Sequence, residues 1–381
     1  MVPPGRPRHS RGTTSLRAPR ENRLKTDAAA PLDLLRGPAW SNRLAVAPLT
    51  NKQSHSDGTL GDDERRWLVA RARGGFGLVM SCATYVAAEG QAWDGQLGIS
   101  DDRHVPGLRR LADEVRAAEA VSSVQLHHGG LRADSTVSGV PTVAPWDDEA
   151  KGVRALTTAE VHAAVAAFVS AAGRAERAGF DGVEVHGAHG YLVGQFLDAR
   201  HNVRTDGYGG SAEDRSRFLL EILEGIRQVT GPGFQLGLRL SPERFGIDLE
   251  EATALAARVM ADGHLDYLDL SLWDAWKHPH GLEEDGLLLD HFAALPRHGV
   301  RLGYAGKVLS AADVAWCLEH AADFVTIGTG AIIHHDFARQ ALADPAFVSI
   351  PHPVSRAHLE AEYTGPAFLE YLATNWDDFV H

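Results

Sequence analysis

The chain has 381 residues, 44% of them apolar, enough for a barrel-sized core, and its formal charge of −13 argues against a nucleic-acid partner. No apolar run approaches the roughly 20 residues that cross a bilayer, and no basic segment leads into an apolar signal core, so a cytoplasmic protein with no membrane partner is expected. With only Cys82 and Cys317 there is no disulfide framework, thiolate zinc cage or iron–sulfur cluster, so any redox chemistry must come from an organic cofactor.

The first 27 residues hold seven basic side chains against Glu21 and Asp27, a net of +5 that leaves −18 for the rest. Lacking apolar periodicity, residues 1–29 are expected to form a disordered basic extension and residues 30–381 a single domain. From about residue 44, short apolar runs alternate with longer amphipathic stretches. The runs predict strands at Leu44–Pro48, Leu78–Ala83, Val121–His127, Gly182–His186, Phe234–Leu240, Tyr267–Ser271, Arg301–Tyr304 and Phe324–Ile327. Helices are predicted at Asp62–Arg73, His104–Ala118, Thr158–Ala178, Ala212–Thr230, Leu249–Asp262 and Ser310–His320. Thr157 with Glu160 fits a capping box at the start of the third, and Ser211 with Asp214 is a weaker version at the fourth. Eight such units predict an α/β fold, a (β/α)8 TIM barrel, whose chemistry gathers at the C-terminal ends of the strands. The connections 128–157 and 272–284, after strands 3 and 6, are long enough to serve as lids or binding walls at that end.

That expectation works as a filter, because functional residues should fall just after each apolar run. Gly306-Lys307 after the seventh strand and Gly328-Thr329 after the eighth would let backbone amides approach a phosphate, with Lys307 adding charge; a tight turn alone would also use these glycines. Arg239, ending the fifth strand, must meet an anion, an electron-rich ring or a neighbouring carboxylate. Gln125 can donate and accept together, which suits the edge of a pyrimidine-like ring. Tyr85, Trp273 and Trp276 are candidate walls.

Gly182–Tyr191 carries the most chemistry, with His186 ending a strand and His189 and Tyr191 in the following loop. The histidines could be metal ligands, a structural pair, or neutral donors that polarise a carbonyl oxygen while Tyr191 delivers a proton. A metal lacks an Asp, Glu or Cys ligand at a suggestive spacing in that loop, and no metal is assigned. His278-Pro279-His280 reads as part of a loop over the pocket, and His334-His335-Asp336 as the approach to a helix capped by Asp336.

From about Pro31 to Ala346 the chain resembles the old yellow enzyme family of FMN-dependent NAD(P)H oxidoreductases. The resemblance rests on Asn42–Thr50, on Val124–Gly130, and above all on Val183–Leu192 with Gln195-Phe196-Leu197, continuing into Asn202, Arg204, Asp206, Tyr208–Ser211, Arg215, Arg217 and Phe218. It implies FMN across the barrel mouth, NADPH or NADH as reductant, and a small-molecule substrate, with a homo-oligomer left open. By similarity, Pro48, Leu49, Thr50 and Ala83 line the isoalloxazine, Gln125 and Arg239 reach its pyrimidine edge, and Gly306, Lys307, Gly328 and Thr329 surround the phosphate. His186 and His189 match the pair that anchors a carbonyl or phenolic oxygen, and Tyr191 matches the proton donor. Thr329 stands where the family commonly has arginine, and Thr50 where one branch has cysteine, so thiol tuning of the flavin is not expected. The implied activity is reduction of activated C=C bonds. The alternatives are a flavin-dependent dehydrogenase or isomerase in a biosynthetic pathway and, more remotely, a flavin-free barrel lyase or noncatalytic binding protein. The Asn202–Phe218 block is expected to be architectural.

Overall fold

A computed structural model describes residues 27–282, 284 and 286–381, so most of the predicted basic extension lies outside the described residues. Eight parallel strands form the barrel: β1 Leu44–Val46, β2 Leu78–Met80, β3 Val121–His127, β4 Gly182–Gly187, β5 Gln235–Leu240, β6 Tyr267–Ser271, β7 Arg301–Ala305 and β8 Phe324–Ile327. Each pairs with its sequence neighbours, and β8 returns to β1, which closes the cylinder. All eight predicted strands are present, with β1 ending two residues early at Val46 and β2 also shorter than expected. It stops at Met80, and a separate pair, Thr84–Tyr85, then joins the end of β3.

The helical layer follows the amphipathic stretches. Thr157 and Glu160 form the full capping box ahead of Thr158–Ala178, which ends on Gly179 at φ 91°. Ser211 accepts the amide of Asp214 at the start of Ala212–Val229. The helix predicted from His104 begins at Val105, after a 3-10 turn at Asp102–His104. Asp336 precedes the helix Phe337–Ala343 without capping it. Its backbone (φ −108°, ψ 24°) is not extended as a capping residue's would be, and its carboxylate accepts instead from Gln340 Nε2 at 2.6 Å. The sequence patterns also missed Thr329–Ile333, a short helix directly after β8.

The N-terminal end of the barrel is plugged by Trp40, fully buried, edge-on to Phe324 at 4.9 Å and Tyr267 at 5.4 Å. Its indole N–H donates to Gln235 Oε1 at 3.1 Å. Two barrel glycines make room for these rings, because a Cβ on Gly237 would lie 2.0 Å from Tyr267 Cζ and one on Gly303 2.2 Å from Phe324. The opposite end stays open and collects the polar strand termini. Among the described residues, no helix is long and apolar enough to cross a membrane.

Candidate active site

A cavity of about 420 Å³ opens at the C-terminal ends of the strands. Ten predicted site residues line it: Pro48, Leu49, Thr50, His189, Tyr191, Arg239, Gly306, Lys307, Gly328 and Thr329. His186, Gln125 and Ala83 do not line it; they are buried close behind, 4%, 0% and 5% exposed.

The histidine–tyrosine cluster comes from one turn. His186 pairs with Arg239 one residue before β4 ends at Gly187, and the backbone then folds through left-handed geometry at His189 (φ 61°) and Gly190 (φ 68°). A Cβ at Gly190 would strike Phe245 at 2.8 Å, so that turn needs glycine. It stacks the rings edge-to-face, with His186 5.0 Å from His189 and 5.1 Å from Tyr191. The Ala188 amide donates to His186 Nδ1 at 3.2 Å, which puts the ring proton on Nε2 and makes that nitrogen a donor. His189 Nε2 meets the Ser271 hydroxyl at 2.7 Å, and its amide donates to Ser241 Oγ at 3.0 Å. Burial pushes His189 down to about 3 and His186 well below the usual imidazole range, so both are neutral at neutral pH. Burial raises Tyr191, against a smaller lowering by Arg132, so its phenol keeps its proton.

A third imidazole, His127, lies 4.3 Å from Tyr191 and 5.7 Å from His186. Gln96 accepts the Ala92 amide through Oε1 and donates through Nε2 to His127 Nδ1 at 3.0 Å, which fixes this ring too as an Nε2–H tautomer.

Below these groups the barrel interior is charged. Register sets Gln125 beside Glu184, and Arg239 beside Asp269. Gln125 Nε2 donates to Glu184 at 2.8 Å, and Arg239 pairs with Asp269 at 3.0 Å, the carboxylate alternative for that arginine. Burial raises both carboxyls, Glu184 further through Asp269, while Arg239 opposes the rise. Gln125 Oε1 and Arg239 Nε are left buried without a protein partner, an acceptor and a donor that suit the edge of a flavin ring. On the other side of the mouth, a Cβ on Gly328 would meet nothing nearer than 3.8 Å, which leaves open space beside the first turn of Thr329–Ile333. Gly306 is required by packing instead, since a Cβ there would come within 2.9 Å of the Asp274 and Ala275 amides. Lys307 pairs with Asp274 at 3.0 Å on the exposed rim, so the charge it was expected to add near the phosphate is already shared with a carboxylate.

Of the predicted walls, Trp273 is in place. Tyr85 instead turns its hydroxyl to Asp57 O at 3.0 Å, and Trp276 packs on Trp316 at 5.1 Å. Large walls that were not predicted are Arg132, Phe245, Tyr371 and Trp376. Arg132 falls five residues past the end of β3, and the last two come from the C-terminal segment, so a rule confined to strand ends does not select them. Asn202 holds its loop by donating to Phe196 O and Tyr208 O, and Arg204 pairs with Asp206, the architectural role expected of that block. Away from the mouth, His334, His358 and Glu362 approach one another, but the Ile350 amide occupies His334 Nε2, leaving the proton on the other nitrogen.

A (β/α)8 barrel whose open end offers ring-edge partners, an open glycine turn and neutral imidazole donors defines a flavin-dependent oxidoreductase. The chain belongs to the NADH:flavin oxidoreductase / NADH oxidase family, which it matches over residues 30–350. It is 36% identical over 327 residues to the probable NADH-dependent flavin oxidoreductase YqiG of Bacillus subtilis, covering 83% of this chain and 85% of that one. It is 32% identical over 325 residues to an NADPH dehydrogenase of Bacillus cytotoxicus, covering 83% and 92%. The old yellow enzyme homologue of Zymomonas mobilis has the same architecture, with a TM-score of 0.74 at 26% identity over 91% of this chain and 99% of that one. FMN is the cofactor, and NADH or NADPH the reductant.

Proposed function

We propose that this enzyme reduces the activated C=C bond of α,β-unsaturated carbonyl compounds, with His186 and His189 binding the carbonyl oxygen and Tyr191 protonating the α-carbon. FMN, once reduced by NAD(P)H, supplies the hydride for the β-carbon. Pro48, Leu49 and Thr50, with Ala83 behind them, would flank its ring system, Gln125 and Arg239 would serve its pyrimidine edge, and Gly306, Lys307, Gly328 and Thr329 would hold the phosphate.

The observation that carries this reading is the edge-to-face cluster of two neutral imidazoles and a protonated phenol, with His189 and Tyr191 on the cavity wall and His186 close behind them. A neutral N–H donor stabilises the negative charge that builds on a carbonyl oxygen without giving its proton away, and the fixed His186 tautomer presents such a donor. The phenol is the group beside the pair that can hold a proton until carbon needs it. Ser271 meets the His189 ring nitrogen and Ser241 accepts its amide, so that ring is held before substrate arrives.

Tyr191→Phe should slow alkene reduction by about 10²- to 10⁴-fold while flavin reduction by NAD(P)H stays near the wild-type rate. Stopped-flow measurement of the two half-reactions separates these outcomes. Loss confined to the NAD(P)H step would remove Tyr191 from the proton-donor role.

A further inference from the structure

The cavity is lined by three cations, Arg132, Arg239 and Lys307, and by no aspartate or glutamate among the described residues, in a chain whose net charge is −13. Two of the three are accounted for. Arg239 is ion-paired to Asp269 inside the barrel, and Lys307 to Asp274 on the phosphate side. Arg132 has no carboxylate within ion-pairing distance among the described residues. Its Nη1 donates to His189 O at 2.6 Å, and its Cζ lies 5.0 Å from the centre of the Tyr191 ring. Its other N–H donors stand on the same side of the mouth as the histidine–tyrosine cluster.

This arginine is held in place by more than its own contacts. The buried Gln195 accepts the Leu131 amide at 3.0 Å and donates to Gly129 O at 3.2 Å and Gly190 O at 2.9 Å. One side chain thus ties the turn that carries Arg132 to the loop that carries His189 and Tyr191. Two further cations flank the cavity walls. Arg244 stands 4.6 Å over Trp273 and Lys52 5.5 Å over Tyr371, and both rings line the cavity. A preorganised, uncompensated guanidinium suits a carboxylate, which it can meet with paired N–H donors.

We propose that Arg132 recognises an anionic oxygen group, a carboxylate, on the alkene substrate itself, at the end of the molecule away from the oxygen held by His186 and His189. The proposal rests on the assignment of His186, His189 and Tyr191 given above. The substrate class is then an unsaturated oxo-acid or related enoate rather than a neutral enone.

The test compares (E)-4-oxopent-2-enoate with its methyl ester, the same enone with and without the charge, in the FMN-loaded enzyme. Arg132→Leu should lower kcat/KM for the acid by about 10- to 100-fold more than for the ester. The loss should sit in KM, and Arg132→Lys should recover part of it. Added salt should weaken the acid's KM in the wild type and not in Arg132→Leu. Equal losses on acid and ester would make Arg132 only a brace for Tyr191 and overturn the proposal. So would a loss confined to flavin reduction by NADPH or NADH, which would assign the guanidinium to the dinucleotide phosphates. Failure of the wild type to reduce either compound would instead strike the underlying C=C reductase reading. Thermal midpoint and flavin content of each variant show that it is folded and loaded.

Discussion

The role proposed for His186 and His189 depends on their staying uncharged. Burial lowers both, His189 to about 3, so the proton that would turn either ring into a cation is taken up only far below neutrality. The sign is that of a base whose folded pKa is depressed: above that pKa the neutral form persists, so no charge change occurs between pH 5 and 8. The KM for a neutral enone should therefore be flat across that interval, measured at saturating NAD(P)H. A KM rising several-fold as pH falls through about 6.5, the ordinary imidazole value, would show that at least one ring titrates normally and is not held as drawn. His127 belongs to the same group of neutral rings, with its tautomer set by Gln96, and nothing in a strand-end pattern distinguishes it from any other histidine at the end of a strand.

Among the elements, the strands set the site through register. Pairing His186 with Arg239 and Arg239 with Asp269 places three polar side chains on consecutive strands at one height, and the alternation of β-strands turns them all inward. The same alternation puts Gly237 opposite Tyr267 and Gly303 below the Phe324 ring, so each glycine yields its volume to an aromatic neighbour. Gly237→Ala and Gly303→Ala should each cost about 1–3 kcal/mol or more in urea unfolding. Gly233→Ala, with nothing within 4 Å of its Cβ, should be neutral or slightly stabilising. The eight strands and the His186–Tyr191 loop were legible in the sequence because apolar runs with fixed periods and strand-end positions are local properties. Arg132, Tyr371 and Trp376 were not, because they reach the mouth through a loop and a C-terminal helix whose paths depend on tertiary packing. The Lys307–Asp274 pair was invisible for the same reason, and although a carboxylate was one reading for Arg239, its choice of Asp269 was not legible, since each pair joins residues about 30 positions apart whose meeting is decided only when neighbouring strands close.

Across the whole molecule, stability and chemistry occupy opposite ends of one cylinder. Trp40, Tyr267 and Phe324 form an aromatic plug at the first residues of β6 and β8, whereas Ser271 and Gly328 belong to the mouth. The length of β6 separates the two by about 13 Å. Because the plug is fully buried, Trp40→Ala removes a large packed volume and strands the Gln235 amide that its indole N–H met, a loss of about 3–5 kcal/mol. Neither Trp40 nor Gln235 lines the cavity, so the loss should appear in the thermal midpoint and not in the chemistry. At a temperature where the variant is fully folded and FMN-loaded, kcat/KM for an enone should stay within about twofold of wild type, and Tyr191→Phe should show the reverse pattern, with an unchanged midpoint and slow alkene reduction. Parallel scans of thermal unfolding and of the oxidative half-reaction decide the matter. If Trp40→Ala slowed alkene reduction as severely as Tyr191→Phe while still folded and loaded, the barrel's two ends would be coupled through the charged interior layer of Glu184, Arg239 and Asp269, and the division of labour argued here would fail.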